Sequence, residues 1–394
     1  MDTPNKSLPS FENTQIAFAS RSNAELKKMY WLFSMMNNNF LVSFGTSLLK
    51  LAFSAGLPVS YPVKKTIFAH FCGGENIKDC EKTILKLSDN NIGTILDYSV
   101  EGEKNEKSFD ATEAETIETV KRAAGAKSIP FSVFKVTGVA EFALLEKIQA
   151  GQSLSESEKS AWERARKRVD NICKTAHTLN VRIFIDAEET WIQKVIDDLA
   201  IEMMQKYNRE KPTVYNTYQM YCHAKLAQLK VDFEKAQKEN YFLAAKLVRG
   251  AYMEKERERA AKMGYEDPIQ PDKAATDRDF DAALRFCVEN KGKIAVCAGT
   301  HNENSSLLLA ELMQGADIEK QNPDFYFAQL FGMSDHISYN LAAAGYNVAK
   351  YVPYGPVKSV MPYLFRRASE NTSIAGQSSR EFSLIKAEVR RRKI

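Results

Sequence analysis

The chain has 394 residues, 44% hydrophobic and 26% charged, with a formal net charge of +4. That composition is globular rather than disordered, and the small positive excess, without a finger or RNA-binding motif, excludes nucleic acid as the expected partner. The length suits one large α/β barrel with an added segment as well as it suits two domains.

Residues 1–22 are polar and read as loose. Asp2 and Glu12 stand there beside Lys6 and Arg21, which fits neither a secretory signal nor a mitochondrial presequence. Residues 23–58 read as one or two helices, with Asn23 as a cap and Leu26, Met29, Tyr30, Phe33 and Met36 at helical spacing. The apolar region from Met29 to Val59 is interrupted by Asn37-Asn38-Asn39, Ser43, Gly45 and Lys50, so it lacks the unbroken run of a membrane span. It is expected to pack on the body of the protein. Short helices near 63–71 and 77–87 complete a strandless helical segment, residues 1–90.

From residue 92 short β-rich runs alternate with longer amphipathic ones. The expected strands are 93–98, 130–137, 181–186, 213–218, 242–248, 293–298, 324–330 and 347–352. The expected helices lie near 112–124, 155–179, 191–207, 220–239, 271–290, 302–314, 335–345 and 357–370. Eight such units predict an α/β fold, a closed TIM-like (β/α)8 barrel over 91–376 whose last helix carries ligand-binding residues. An open doubly wound sheet is the runner-up, but no glycine fingerprint follows any strand. The charged stretch 101–112 reads as a solvated loop, 146–160 as an insertion and 371–380 as a polar, mobile segment. Pro362 requires the last barrel helix to start there or to kink. In the basic tail, 377–394, Phe382, Ile385 and Val389 oppose Lys386, Arg390, Arg391 and Arg392. It reads as a helix packed by one face, with contact to an anionic membrane as the alternative.

The six cysteines form no CxxC pair and suggest free thiols in a reducing compartment. The five histidines form no HxxxH pair, so no metal is expected.

Barrel chemistry sits at the C-terminal ends of the strands. Those ends present Lys135, Asp186, Asn216, Tyr218, Lys246, Arg249, Thr300-His301-Asn302, Leu330, Gly332 and Tyr351. Tyr363, Arg366, Arg367 and Glu370 follow on one face of the last helix, where two guanidinium forks suit a small carboxylate or phosphate. Each has a plainer reading: Lys135 as a snorkelling lysine, Asp186 and Asn302 as helix caps, Tyr351 as core, the arginine pair as an exposed turn. Their convergence at one end of successive strands favours a site, and the cations suit a phosphate-bearing, electron-accepting cofactor held without a Rossmann loop.

The stretches Phe134-Lys135-Val136-Thr137-Gly138, Ile185-Asp186-Ala187-Glu188, Val214 to Gln219, Lys246-Leu247-Val248-Arg249-Gly250-Ala251-Tyr252, Gly299 to Asn302, Gln329 to Met333 and Tyr351 to Glu370 closely resemble proline dehydrogenase. The likeness runs from about Phe131 to about Asn371 and is to the single-function, eukaryote-like branch. A chain of this length has no room for the aldehyde dehydrogenase of the bifunctional bacterial enzymes. The resemblance implies oxidation of L-proline to Δ1-pyrroline-5-carboxylate with reduction of FAD, and electrons passed to a membrane quinone by peripheral association. It places Lys135, Asp186, Leu330, Tyr351, Tyr363, Arg366 and Arg367 on proline, with Glu370 behind them. It places Asp186, Asn216, Lys246, Arg249, Gly250, Ala251, Thr300, His301 and Asn302 on FAD. Asp186, Lys246 and Lys135 would be catalytic, the base being Lys135 or a water. Many bacterial members have Arg in place of Lys246 and Gln in place of Asn216. The expected location is the cytoplasm, at most peripheral on the inner face of the membrane. The competing readings are a hydroxyproline dehydrogenase, a Schiff-base lyase using Lys135 or Lys246, and a non-catalytic proline-binding barrel.

Overall fold

The alternating runs are realised as eight strands: β1 (Ile92–Tyr98), β2 (Phe131–Phe134), β3 (Arg182–Ile185), β4 (Val214–Gln219), β5 (Leu243–Val248), β6 (Ile294–Gly299), β7 (Phe325–Leu330) and β8 (Val348–Tyr354). They close in sequential order into a barrel. This is the (β/α)8 architecture expected from the periodicity. The structure, a computed structural model, describes residues 8–36, 45, 60–100, 105–373 and 377–394, without the side chains of 368–373 and 377–379. The chain divides into two compact units, Met1–Glu101 with Gln329–Ile394, and Gly102–Ala328.

In the second unit the strands pair in parallel, with Phe134 opposite Ile185, Ile185 opposite Asn216, Thr217 opposite Lys246 and Lys246 opposite Cys297. The strands are buried on both faces, which is why they read as apolar runs without clean alternation. Phe131 and Phe184 stack 4.4 Å apart, and the Arg182 guanidinium lies 4.3 Å from the Phe131 ring and 4.6 Å from that of Tyr326. Capping fixes the helix starts. The helix Glu156–Thr178 opens on a reciprocal box between Ser155 and Glu158 and buries Ala165, Val169, Ile172, Cys173 and Ala176 along one stripe.

The same device corrects one expectation. The charged loop ends at Asn105, whose side chain and that of Ser108 form a capping box, so the following helix spans Glu106–Ala123 rather than beginning near 112. The expected insertion 146–160 is mostly helical, because a helix Phe142–Gln149 precedes Glu156–Thr178. A helix Met253–Met263, absent from the sequence reading, follows β5.

In the first unit β1 and β8 pair in parallel, Ile95 opposite Tyr351. Residues 8–22 are not loose: Asn13 caps a turn of helix, Thr14–Ala17, and Phe11 and Phe18 are buried. The helix Asn23–Met36 buries Leu26, Met29, Leu32, Phe33 and Met36. The second half of the expected 23–58 helical region lies outside the described residues, Gly45 apart. Pro362 is the second residue of the helix Met361–Ser373, where its missing N–H costs nothing, so the helix starts there and does not kink. The expected mobile segment 371–380 is helical over 371–373 and again from Gln377, where the C-terminal helix Gln377–Arg392 begins. That helix inserts Leu384 and Ile385 among Ala17, Phe18, Leu26, Met29 and Phe33, a burial worth about 1.5–3 kcal/mol per side chain.

Candidate functional site

The chemistry begins where β2 and β3 end. Lys135 follows β2, Asp186 follows β3, and Lys246 lies within β5 on the same side as its partner Thr217. The Asp186 carboxylate is buried, and each oxygen takes one lysine. Lys135 Nζ donates to Oδ2 at 2.9 Å and Lys246 Nζ donates to Oδ1. Lys246 is itself buried, its ammonium 5.2 Å from the centre of the Phe184 ring. Burial alone would raise the Asp186 carboxyl, but Lys135 and then Lys246 outweigh it and hold the group well below the usual carboxylate range. Asp186 is therefore a fixed anion that aims two cations at the strand ends. Lys135, Asp186 and Lys246 were all foreseen, and the structure brings them together.

A residue not foreseen holds this arrangement in register. Glu188, two positions after Asp186, is buried and takes both hydrogen bonds that Thr137 offers, the amide at Oε1 (3.1 Å) and the hydroxyl at Oε2. It thereby ties the turn after Lys135 to the loop after Asp186. Burial pushes its carboxyl up to about 7, against the pull of the Thr137 donors. The Asp-Ala-Glu triplet was in view, but only the paired turns show which carboxyl does which work.

Along β4 side chains alternate between two environments. Asn216 Nδ2 donates to Asp197 Oδ1 at 2.9 Å and the Tyr218 hydroxyl to Asp232 Oδ2 at 2.9 Å, both carboxylates lying on surrounding helices. The Asn216 carbonyl oxygen accepts from the Thr217 amide at 2.9 Å. Asn216 thus faces the helix layer. The amide on the side of Lys246 is Gln219, whose Nε2 donates to the Glu188 carbonyl oxygen at 2.7 Å.

Beyond β5, Arg249 is held on three sides. Its Nε donates to Asp277 Oδ1 at 2.7 Å, Nη1 to the Thr300 hydroxyl at 2.6 Å and Nη2 to the Ser305 hydroxyl at 2.9 Å, with Phe280 4.4 Å away under the guanidinium. Arg249 and Thr300, both foreseen, are thereby brought together. Asn302 caps the helix Glu303–Gly315 through the Ser305 amide, the plainer of its two expected roles. Gly250 has φ +140°, and a Cβ there would meet the Tyr221 ring at 2.4 Å, so only glycine fits the turn. Gly250 and Ala251 are exposed, and His301 is half-buried.

The remaining expected residues belong to the first unit. Leu330 ends β7 and packs on a cluster that includes Phe71, Met333, Val360, Tyr363 and Leu364. Tyr351 is a buried residue of β8. The Arg367 guanidinium lies 5.2 Å from the Tyr363 ring, as spacing by four on one helix face requires, while Arg366 is half-buried. The Glu370 side chain lies outside the described residues. A second buried network went unforeseen here: Lys350 of β8 and Arg21 share Asp335, at 3.0 and 2.8 Å. Burial would raise the Asp335 carboxyl, but Lys350 and Arg21 hold it well below its usual range. Among the described residues no cluster of metal-ligating side chains forms, and no helix is long and apolar enough to cross a membrane.

A family model described as proline dehydrogenase matches residues 80–380. The chain is 33% identical over 426 aligned residues to proline dehydrogenase 1, mitochondrial, of Dictyostelium discoideum, covering 96% of this chain and 74% of that protein. It is 42% identical over 241 residues to the Homo sapiens protein of the same name, covering 60% of this chain but 40% of that one. The solved structure of proline utilization A from Bdellovibrio bacteriovorus, inactivated by N-propargylglycine, superposes with a TM-score of 0.73 at 19% identity. It covers 91% of this chain and 38% of that one, a likeness of fold.

Proposed function

The chain belongs to the proline dehydrogenase family, and from that premise we propose that it oxidises L-proline to Δ1-pyrroline-5-carboxylate with FAD, passing electrons on to a membrane quinone. The observation that carries the reading is the Lys135–Asp186–Lys246 cluster, in which one buried carboxylate holds two ammonium groups where β2 and β3 end and within β5. FAD, when bound, supplies the acceptor for the hydride that leaves proline C5. The donor set fits such a group: a buried ammonium, a guanidinium fixed on three sides, and a glycine turn with no side chain in the way.

In this reading Lys246, Arg249, Gly250, Ala251, Thr300, His301 and Asn302 hold the cofactor, with Asp186 orienting both lysines. We assign the β4 amide role to Gln219 in place of Asn216, whose amide is engaged by Asp197. Arg366 and Arg367 take the proline carboxylate, and Tyr363 supports Arg367. Leu330 and Tyr351 supply apolar walls, Tyr351 favouring proline over hydroxyproline. Oxidation also releases the amine proton, near Lys135. A Schiff-base mechanism finds less support, because it needs a free amine and both lysines are engaged by Asp186.

The test is product formation. Protein incubated with FAD, L-proline and an electron-accepting dye should yield a cyclic imine that o-aminobenzaldehyde traps. An Arg366→Met/Arg367→Met variant should yield almost none at the same proline concentration. Borohydride trapping of substrate on a lysine, without imine release, would replace this reading with the lyase.

A further inference from the structure

The chain makes an excursion between Arg249 and Gln270, and the backbone of Tyr221 takes both ends. The Tyr221 N–H donates to the Arg249 carbonyl oxygen at 2.8 Å, and its carbonyl oxygen accepts from the Gln270 N–H at 2.7 Å. Within the excursion lies the helix Met253–Met263. Its 11 residues are too few to hold a helix by themselves, and its apolar anchorage is slight. Ala260 and Glu256 are its buried residues, while Met253 and Met263 are exposed. Polar ties hold it instead. Lys255 pairs with Glu189 and Arg259 with Glu146, but both cations are partly exposed, where such pairs contribute little. Glu256 is different. It is fully buried, and its two oxygens take both donors of Thr190, the amide at Oε1 (2.7 Å) and the hydroxyl at Oε2 (2.5 Å). Thr190 opens the helix Thr190–Tyr207, where the N-cap residue Glu189 makes no side-chain cap bond. Glu256 thus supplies, from another loop, the acceptor that a capping side chain ordinarily supplies.

We propose that Glu256 is a positioning residue that locks the Arg249-Gly250-Ala251 turn to the loop carrying Asp186. The Glu256 N–H donates to the Tyr252 carbonyl oxygen at 2.9 Å, so placing Glu256 places the residue that follows Ala251. On the other side, Thr190 closes the stretch Asp186-Ala187-Glu188-Glu189. That stretch is itself pinned, because the Glu188 N–H donates to Gln193 Oε1 and its carbonyl oxygen accepts from Gln219 Nε2, both at 2.7 Å. The turn cannot fix itself by packing, since Gly250 and Ala251 are exposed. It is held at one end by the three bonds of Arg249 and at the other by Glu256. The lock keeps one spacing between the turn after β5 and the Lys135–Asp186 pair after β2 and β3. The inference rests on the proposed function only in taking this turn as one that faces FAD, and the lock itself needs no cofactor.

The test is hydrogen exchange read by mass spectrometry on peptides spanning 250–264, without and with FAD, beside an FAD titration followed by flavin fluorescence. Glu256→Ala should speed exchange across 250–264 by about tenfold, while peptides of the helix Lys225–Glu239 exchange as in wild type. If the turn is then in place in about a tenth of the molecules, FAD binds about tenfold more weakly. With FAD saturating, KM for proline should stay near the wild-type value. Glu256→Gln should restore both exchange and affinity, because its amide accepts from the Thr190 N–H and donates to the Thr190 hydroxyl. Thr190→Val removes only the hydroxyl donor. It should shift both readouts in the same direction by less, and it decides the matter if Glu256→Ala does not fold. Asp232→Asn disturbs another buried carboxylate, on the helix Lys225–Glu239, and should leave FAD affinity unchanged. Unchanged exchange over 250–264, no restoration by Glu256→Gln, or an equal loss of FAD in Asp232→Asn would overturn the proposal. A wild type that takes up no FAD would end the proposed function, and the exchange result alone would then decide the lock.

Discussion

Replacing Asp186 with Asn removes the charge that two lysines share while keeping the side chain's size. Lys246 is 5% exposed and cannot turn to water, so its ammonium is left in the interior facing an amide. Lys135, whose side chain is 26% exposed, can reach solvent and adds little to the cost. Breaking a buried pair from one side costs about 3–5 kcal/mol, most of it the stranded charge rather than the lost attraction. Adding Lys246→Met removes that charge, so the double variant should recover much of the loss. The assay is urea unfolding followed by far-UV circular dichroism, with the slope compared across the cycle so that a midpoint shift can be read as stability. A loss below about 1 kcal/mol in Asp186→Asn, or a double variant as unstable as the single, would refute the view that Asp186 is a counter-ion to a buried cation.

Glu188 gives a pH signature of opposite sign. Its folded value is raised from 4.5 to about 7, so its contribution is full below about pH 4.5 and lost as pH rises through 7, on the order of 3 kcal/mol. Glu188→Gln should flatten stability against pH across that window, and an unchanged slope would remove Glu188 as its source. Asn216→Ala should cost roughly 1–2 kcal/mol, the loss of one buried hydrogen bond to an Asp197 that keeps Gln193 and Lys225 as donors, with FAD affinity unchanged. Gln219→Ala should weaken FAD binding in a titration, beside a stability cost like that of Asn216→Ala because it too is buried and donates to the Glu188 carbonyl oxygen, and an unchanged FAD affinity would return the amide role to Asn216. Arg366→Met should raise KM for proline by on the order of 30-fold or more, as loss of a charged carboxylate contact requires. An unchanged KM would move the carboxylate elsewhere.

The barrel was legible because eight buried parallel strands leave eight apolar β-rich runs, each followed by a helical stretch. Lys135, Asp186 and Lys246 were legible because a charged residue inside an apolar strand or just past its end has no role in packing. What escaped notice depends on pairing. Asn216 and Gln219 are both amides on β4, and only the register with β5 shows that Gln219 shares the side of Lys246. Glu188 looked like a neighbour of Asp186 until Thr137 was seen to meet it from the adjacent turn. The start of the Glu106–Ala123 helix was hidden because its capping residues, Asn105 and Ser108, sit inside a run of charges that reads as solvated. The C-terminal helix was legible as one packed by a single face, since Ile385 with Phe382 and Val389 marks that face, but the pairing of Arg391 and Arg392 with Glu388 shows only in the fold.

The most direct test of the central claim is the visible spectrum of FAD-loaded protein before and after anaerobic addition of L-proline. The account predicts a flavin spectrum that bleaches with proline, and one that stays oxidised in Arg366→Met/Arg367→Met. A protein that takes up no FAD, or a bound flavin that proline leaves oxidised, would contradict it.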